Sequence, residues 1–198
     1  MTTRADLRAK LRIRLEDPTP APLWSDAMLH DFLLEAFHRY SARFPRQQTE
    51  PVTAAGGERL LPLTGPTVER DIVRVWQPDG SLLPHAVDGD RAAGWSFWNG
   101  ALVLSTVAQA GIWSIDYLAM YRLPADDVTT VALPEADEEI VVLHAASAAL
   151  LRRSVEVGKR GMESSSLALV RVAEAYDRAA DGLIRARFRR AYGGALRR

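Results

Sequence analysis

The segment Trp95–Arg122, WSFWNGALVLSTVAQAGIWSIDYLAMYR, decides the fold class of this 198-residue chain. Asn99-Gly100 separates two short β-rich runs, and this residue pair is the strongest short signal for a two-residue hairpin. Further along, the stretch from Trp113 to Tyr121 alternates large apolar residues with residues such as Ser114 and Asp116. That alternation predicts a strand with one buried face. The segment therefore predicts antiparallel β-structure.

The same β-rich character begins near Glu58 and continues to Arg122. Turn signals such as Pro78-Asp79-Gly80 separate the short runs, which favours an antiparallel sheet or small barrel about seventy residues long. The predicted strands cover residues 59–63, 72–77, 82–87, 95–98, 101–105 and 112–121.

Two helices are predicted before the β region. The first covers residues 6–16, with Thr3 as its cap, and a proline-rich connector follows it. The second begins at Ser25, where Trp24 and Leu29 have the spacing of a hydrophobic staple. Its apolar residues then follow helical spacing as far as Tyr40.

Two more helices are predicted after Pro134. Acidic residues at 135 and 137–139 fill the first turn of the third helix, where negative charge offsets the helix dipole. Residues 140–151 are almost all apolar or small, which indicates a helix buried on most sides. The fourth helix is predicted over residues 163–192. Its predicted core stripe comprises Leu169, Val172, Ala173, Tyr176, Ala180 and Leu183.

This element order predicts an α+β fold, in which an antiparallel β-sheet insertion interrupts a four-helix bundle between its second and third helices. The expected domains are a helical bundle of residues 1–50 and 134–198 and a β insertion of residues 51–133. At 1.5 Å per residue, the fourth helix would span roughly 45 Å and the second and third roughly 30 to 35 Å. We therefore expect the C-terminal helix to protrude by about two turns.

The composition is that of an ordinary soluble globular protein, with 47% apolar and 25% charged residues. No segment has the length and apolarity of a membrane span, and no signal peptide is expected. The absence of cysteine excludes disulfides and thiolate metal sites and favours a cytosolic compartment.

The formal net charge of zero hides a polarised chain. Residues 1–47 carry eight basic and six acidic side chains, residues 48–140 carry five and fourteen, and residues 141–198 carry twelve and five. Such a distribution fits a body with poles that stack on partners of opposite sign. The alternative is that each segment has a solvated face and that the charge imbalance between the segments arose by chance.

The last fourteen residues, Arg185–Arg198, contain six arginines and no acid. On a helix, Ile184, Phe188 and Tyr192 are spaced four apart, so they would form one apolar and aromatic ridge with arginines around it. A solvated end, a nucleic-acid contact and docking to an acidic protein surface are all compatible with the charge. Docking also explains the aromatic ridge, because buried aromatic and arginine side chains dominate interface energies. The predicted docking residues are Ile184, Arg185, Arg187, Phe188, Arg189, Arg190 and Tyr192.

No catalytic or metal constellation is predicted. The four histidines are scattered, the acids near residue 138 are explained by helix capping, and no serine lies in a nucleophile elbow. His144 is expected to be a hydrogen-bonded core residue. The tryptophans between Trp76 and Trp113 are interpreted as sheet core, with a stacking platform as the alternative. The sequence therefore favours a non-enzymatic protein without a cofactor.

The chain also resembles a known family. Pro22-Leu23-Trp24-Ser25-Asp26 opens the second helix, Tyr117–Pro124 closes the β region, and Leu133-Pro134 leads into the Ala-rich helix of Val141–Leu151. This pattern is similar to that of head-to-tail adaptor proteins (connector or head-completion proteins) of tailed bacteriophages, and it covers most of the chain.

The resemblance implies a virion protein of the head–tail junction that is assembled in the host bacterial cytoplasm. Such adaptors form rings, commonly of twelve copies, beneath the portal protein, and DNA passes through the lumen without sequence-specific contact. A tail or stopper protein follows the ring. By position, Ile184–Tyr192 matches the segment that engages the portal. The β insertion is larger than in the smallest adaptors, so a tail-tube-like or terminator component is an alternative, as is a small nucleic-acid-binding module.

Overall fold

A computed structural model describes residues 2–17, 20–66, 68–86 and 93–193, with side chains in the last helix described as far as Phe188. The described residues form four helices and two antiparallel sheets, which confirms the predicted α+β class. The helices are α1 Arg4–Arg14, α2 Asp26–Arg43, α3 Glu138–Lys159 and α4 Glu163–Gly193. The strands are β1 Arg46–Ala54, β2 Leu60–Pro62, β3 Ile72–Trp76, β4 Leu82–Leu83, β5 Trp95–Trp98, β6 Ala101–Leu104 and β7 Gly111–Ala119.

The chain divides into two compact units. The helical unit contains Met1–Arg43 and Tyr121–Arg198, and the β unit contains Phe44–Met120. The β unit thus starts and ends earlier than the expected insertion of residues 51–133. Residues from Tyr121 onward join the helices because Val131 donates its backbone N–H to Thr2 and Asp127 pairs with Arg4.

The β unit consists of two sheets, with strand orders β1-β7-β3-β4 and β2-β6-β5. One face of each sheet contributes to a common apolar core. Trp113 and Ile115 of β7 are almost completely buried there, together with Leu102 of β6 and Val75 of β3. The alternation in β7 therefore buries one face, as the sequence predicts.

The Asn99-Gly100 hairpin is confirmed. Trp98 pairs with Ala101 in the antiparallel β5–β6 register, and both turn residues have positive φ, 49° at Asn99 and 76° at Gly100. Because two consecutive positive φ values match the right-handed twist of the strands, this turn fixes the hairpin rigidly.

The first two helices begin close to the predicted positions, α1 two residues before Asp6 and α2 directly after Ser25. Thr3 caps α1 in a capping box, in which it accepts the backbone N–H of Asp6 and donates its own N–H to the Asp6 carboxylate. Trp24 is buried before α2 and packs edge-on against Phe32, with 5.5 Å between ring centroids. These contacts fix the direction in which each helix leaves its preceding loop.

The helix α3 is the centre of the helical unit, since α1, α2 and α4 all pack on it. The N-terminal half of α3 is buried on most sides, as predicted. Small residues of α4, Ala173 and Ala180, are fully buried and allow close approach of α3 and α4. The predicted core stripe of α4 is wrong at Val172 and Leu183, which are 44% and 37% exposed.

Candidate docking site

The predicted docking residues have different positions in the structure. Ile184 is only 2% exposed, whereas Phe188 is 40% exposed and Arg185 is exposed. Arg187 is partly buried. The side chains of Arg189, Arg190 and Tyr192 lie outside the described residues. The candidate site therefore divides into an inner part and an exposed part.

Ile184 belongs to the bundle core, so the prediction that it forms part of an exposed ridge is wrong. The reason is the helical spacing of the buried residues in α4. Ala173, Ala180 and Ile184 are separated by seven and four residues, and they lie on one side of the helix facing α3. Among the described residues, the exposed part of the candidate site accordingly consists of Arg185 and Phe188.

Arg187 anchors the end of α4 to α2 and α3. Its guanidinium donates to the Asp137 carboxylate and to the Tyr40 hydroxyl, and lies over the Tyr40 ring at 5.8 Å from the centroid. The Tyr40 hydroxyl donates to Asp137 Oδ2 at 2.7 Å. Burial, reinforced by the hydrogen bond to Asp137, raises the pKa of Tyr40 well above its usual value. Tyr40 therefore remains a neutral donor, and the three side chains form one polar cluster.

A second polar cluster lies between the same three helices. Nδ1 of His144 is 3.0 Å from Oδ1 of Asp177, and Arg39 approaches the same carboxylate at 3.3 Å. His144 is 3% exposed, so the prediction of a hydrogen-bonded core histidine is confirmed. Burial lowers the pKa of His144, and the hydrogen bond to Asp177 offsets this only in part.

Acidification is expected to destabilise the helical unit through His144. Because its folded-state pKa lies below 6.5, the unfolded chain binds this proton more readily, and the free energy of unfolding falls as pH drops below about 6.5. Burial and the nearby Arg4 and Arg8 also lower the pKa of His30, so protonation of His30 should lower the free energy of unfolding further at acidic pH. Urea unfolding at pH 7.5 and 5.5 should show a smaller pH difference for His144→Gln than for wild type, and a smaller one still for the double variant with His30→Gln. An unchanged pH difference in both variants would contradict this assignment.

The acidic residues at the start of α3 have specific partners beyond the helix dipole. Nζ of Lys10 lies 2.5 Å from the buried carboxylate of Glu138, and Arg14 pairs with Glu139. Both basic residues lie on α1. The acids thus attach α1 to α3, which supports a structural role for them.

Trp98 is a candidate binding residue, and the interpretation of the four tryptophans as sheet core is wrong for it. The core interpretation is correct for Trp95 and Trp113, which are 5% and 2% exposed, and Trp76 is partly buried. Trp98 is 76% exposed. Its position directly before Asn99-Gly100 was the available signal, because the last residue before a hairpin turn lies at the tip of the sheet.

Other site classes find little support. Among the described residues, no group of three or more His, Asp or Glu side chains is placed to hold a metal ion. Within the same part of the chain, no helix is long and apolar enough to cross a membrane.

Comparison with known proteins gives no functional assignment. No protein-family model and no curated protein matches this sequence. The residues of α4 and of the two units described above are therefore the basis for a functional proposal, together with the sequence resemblance.

Proposed function

We propose that this chain is a non-enzymatic virion protein that forms a ring, joins the portal to the tail of a phage and lines the DNA channel. The observation that carries the proposal is the anchored end of α4. Arg187 ties the helix to Asp137 and Tyr40, and the helix continues from Phe188 to Gly193. An exposed aromatic residue at a fixed helix end suits docking to another protein.

The charge distribution supports the same proposal. Residues 141–198 carry an excess of seven basic side chains, and residues 48–140 an excess of nine acidic ones. The basic end suits an acidic surface on the portal. Acidic residues facing the lumen would repel phosphates and help DNA slide past without sequence-specific contact. The partners of the ring are the portal, neighbouring copies and the next tail or stopper protein.

Deleting residues 188–198 is expected to abolish binding to the portal protein of the same phage. This truncation keeps Ile184 and Arg187, so the anchor of α4 remains and the thermal unfolding midpoint should stay close to that of wild type. Binding is measured by cosedimentation of the chain with assembled portal. A truncated chain that binds the portal as tightly as the full chain would contradict the docking assignment.

A matched pair of charge reversals sharpens this test. Arg185 and Arg171 are both exposed on α4, but only Arg185 lies beside the proposed docking end. Arg185→Glu should weaken portal binding, and Arg171→Glu should leave it unchanged. Binding to duplex DNA that weakens steeply with salt, with no affinity for portal, would favour the nucleic-acid-binding alternative instead.

A further inference from the structure

We propose that His30 controls a clasp that fastens an irregular segment of the chain to α1, and that protonation of His30 opens this clasp. The segment, residues 121–133, is the linker that leads from β7 towards α3, and its described residues form no helix or strand. The clasp consists of Arg4 and Arg8 on α1, His30 on α2 and Asp127 on the linker. All of these groups lie in the helical unit, so the clasp does not depend on the adaptor function.

Asp127 is the linker residue that the two arginines hold. Nε of Arg4 lies 2.7 Å from Oδ1 of Asp127, and Nη2 of Arg8 lies 2.9 Å from Oδ2. Arg4 also donates to the backbone carbonyls of Pro124 and Ala125. Each arginine side chain is only 17% exposed, so these bonds are partly shielded from water. Charge-assisted hydrogen bonds thus attach the middle of the linker to α1.

The contact between Arg8 and His30 fixes the protonation state of the imidazole. Nη1 of Arg8 lies 2.7 Å from Nε2 of His30. A guanidinium has donors and no acceptor, so Nε2 of His30 must accept with its lone pair. The ring is therefore neutral and carries its proton on Nδ1. A protonated ring would place two N–H groups and two positive charges against each other at this distance, which is repulsive.

The charged groups around His30 belong to three elements. Arg4 and Arg8 face it from α1, Asp127 from the linker and Asp26 from its own helix. Burial and the two arginines lower the pKa of His30 more than the two carboxylates raise it, so the ring gains its proton below pH 6.5. Hydrogen bonds from arginines lower the pKa of both carboxylates, that of Asp127 to about 2. Within this cluster, His30 is therefore the group that changes its charge between about pH 5 and 8.

Protonation of His30 acts on the linker through Arg8. The planar guanidinium carries Nη1 and Nη2 as one rigid unit, so a displacement of Nη1 from the ring also moves Nη2 from Asp127. The linker then loses one of the two arginines that hold its carboxylate. The amide of Val131 reports the effect, because it donates to the Thr2 carbonyl, just before α1, at 2.8 Å. Opening of the clasp should expose this amide to solvent more often.

Nuclear magnetic resonance of the ¹⁵N-labelled full chain between about pH 7.5 and 4.5 tests the clasp. At neutral pH the ring nitrogens of His30 should show a protonated Nδ1 and an unprotonated Nε2. Exchange of the Val131 amide, divided by its intrinsic rate at each pH, should rise about threefold to fivefold as His30 gains its proton. A proton on Nε2 at neutral pH, or a Val131 exchange rate that does not follow the His30 titration, would overturn the proposal.

Two replacements of His30 fix the clasp in opposite states. His30→Gln keeps an acceptor for Arg8 and cannot become charged, so Val131 should exchange at the slow wild-type rate at both ends of the pH range. His30→Lys places a permanent charge there, so exchange should be fast already at neutral pH. The matched control is His38→Gln, because His38 is exposed on the same helix, and this variant should keep the wild-type pH response. A wild-type response in His30→Gln would refute the clasp, whether or not His30→Lys folds.

Two further variants separate the clasp from a general loss of stability in acid. Asp127→Ala removes the linker's partner, so Val131 should exchange fast throughout the pH range although His30 still titrates. Asp31→Ala, which removes an exposed charge beside His30, should leave the response intact. The response should also persist in His144→Gln, since His144 lies in a different cluster. A response that survives in Asp127→Ala, or that disappears in His144→Gln, would contradict the clasp.

Discussion

Replacing Asp137 with alanine is expected to lower the free energy of unfolding of the helical unit by about 3–5 kcal/mol. Asp137 is 5% exposed and accepts hydrogen bonds from both Tyr40 and Arg187. The substitution leaves a partly buried guanidinium without its carboxylate and a buried hydroxyl without its acceptor. Removing one partner of such an ion pair destabilises the fold by far more than the intact pair stabilises it, because the remaining charge stays desolvated.

Asp31 provides a matched control for this substitution. It is exposed on α2, so Asp31→Ala should change stability by no more than about 0.5 kcal/mol. Urea unfolding followed by far-ultraviolet circular dichroism measures both variants. Adding Arg187→Met to Asp137→Ala should recover part of the loss, since the guanidinium that has lost Asp137 is then removed as well. Equal stability of the two single variants would show that the cluster does not anchor α4.

Replacing Trp113 with alanine is expected to destabilise the β unit by about 3–5 kcal/mol. Trp113 is 2% exposed in the core shared by the two sheets, and its indole N–H donates to the backbone carbonyl of Gln109 at 3.1 Å. Truncation to alanine removes a large buried area, leaves a cavity and orphans that carbonyl. Hydrogen exchange with mass spectrometric readout should show faster exchange across Phe44–Met120.

Trp98→Ala is the control for this second prediction, because it removes the same side chain from the surface of the same unit. Trp98 is 76% exposed, so its loss should cost little stability. Exchange in the helical unit should remain slow in both variants if the two units unfold separately. Equal exchange rates in the Trp113 and Trp98 variants would contradict the position of Trp113 in the core.

Much of the fold could be predicted because local signals agreed with the tertiary structure. The Asn99-Gly100 turn, the alternation in β7 and the Thr3 cap each depend on residues close in sequence. The strand β1, Arg46–Ala54, is not predicted because its sequence, RQQTEPVTA, has no aromatic residue and carries Pro51 in its interior, which argues against a strand. Its pairing with β7 along its whole length forms the strand despite this composition.

The candidate site could be predicted less completely. The spacing of Ile184 and Phe188 is compatible with one ridge, but the direction of that ridge depends on how α4 is rotated against α3. The small residues Ala173 and Ala180 set that rotation and bury Ile184. The role of Arg187 depends on Asp137, fifty positions away in sequence, which helical periodicity does not reveal.

Electron microscopy of assembled portal incubated with the full chain tests the adaptor proposal most directly. The account predicts class averages with an added ring of density on one end of the portal, and loss of that ring when residues 188–198 are deleted. Portal particles that remain bare at saturating concentrations of the full chain would contradict it.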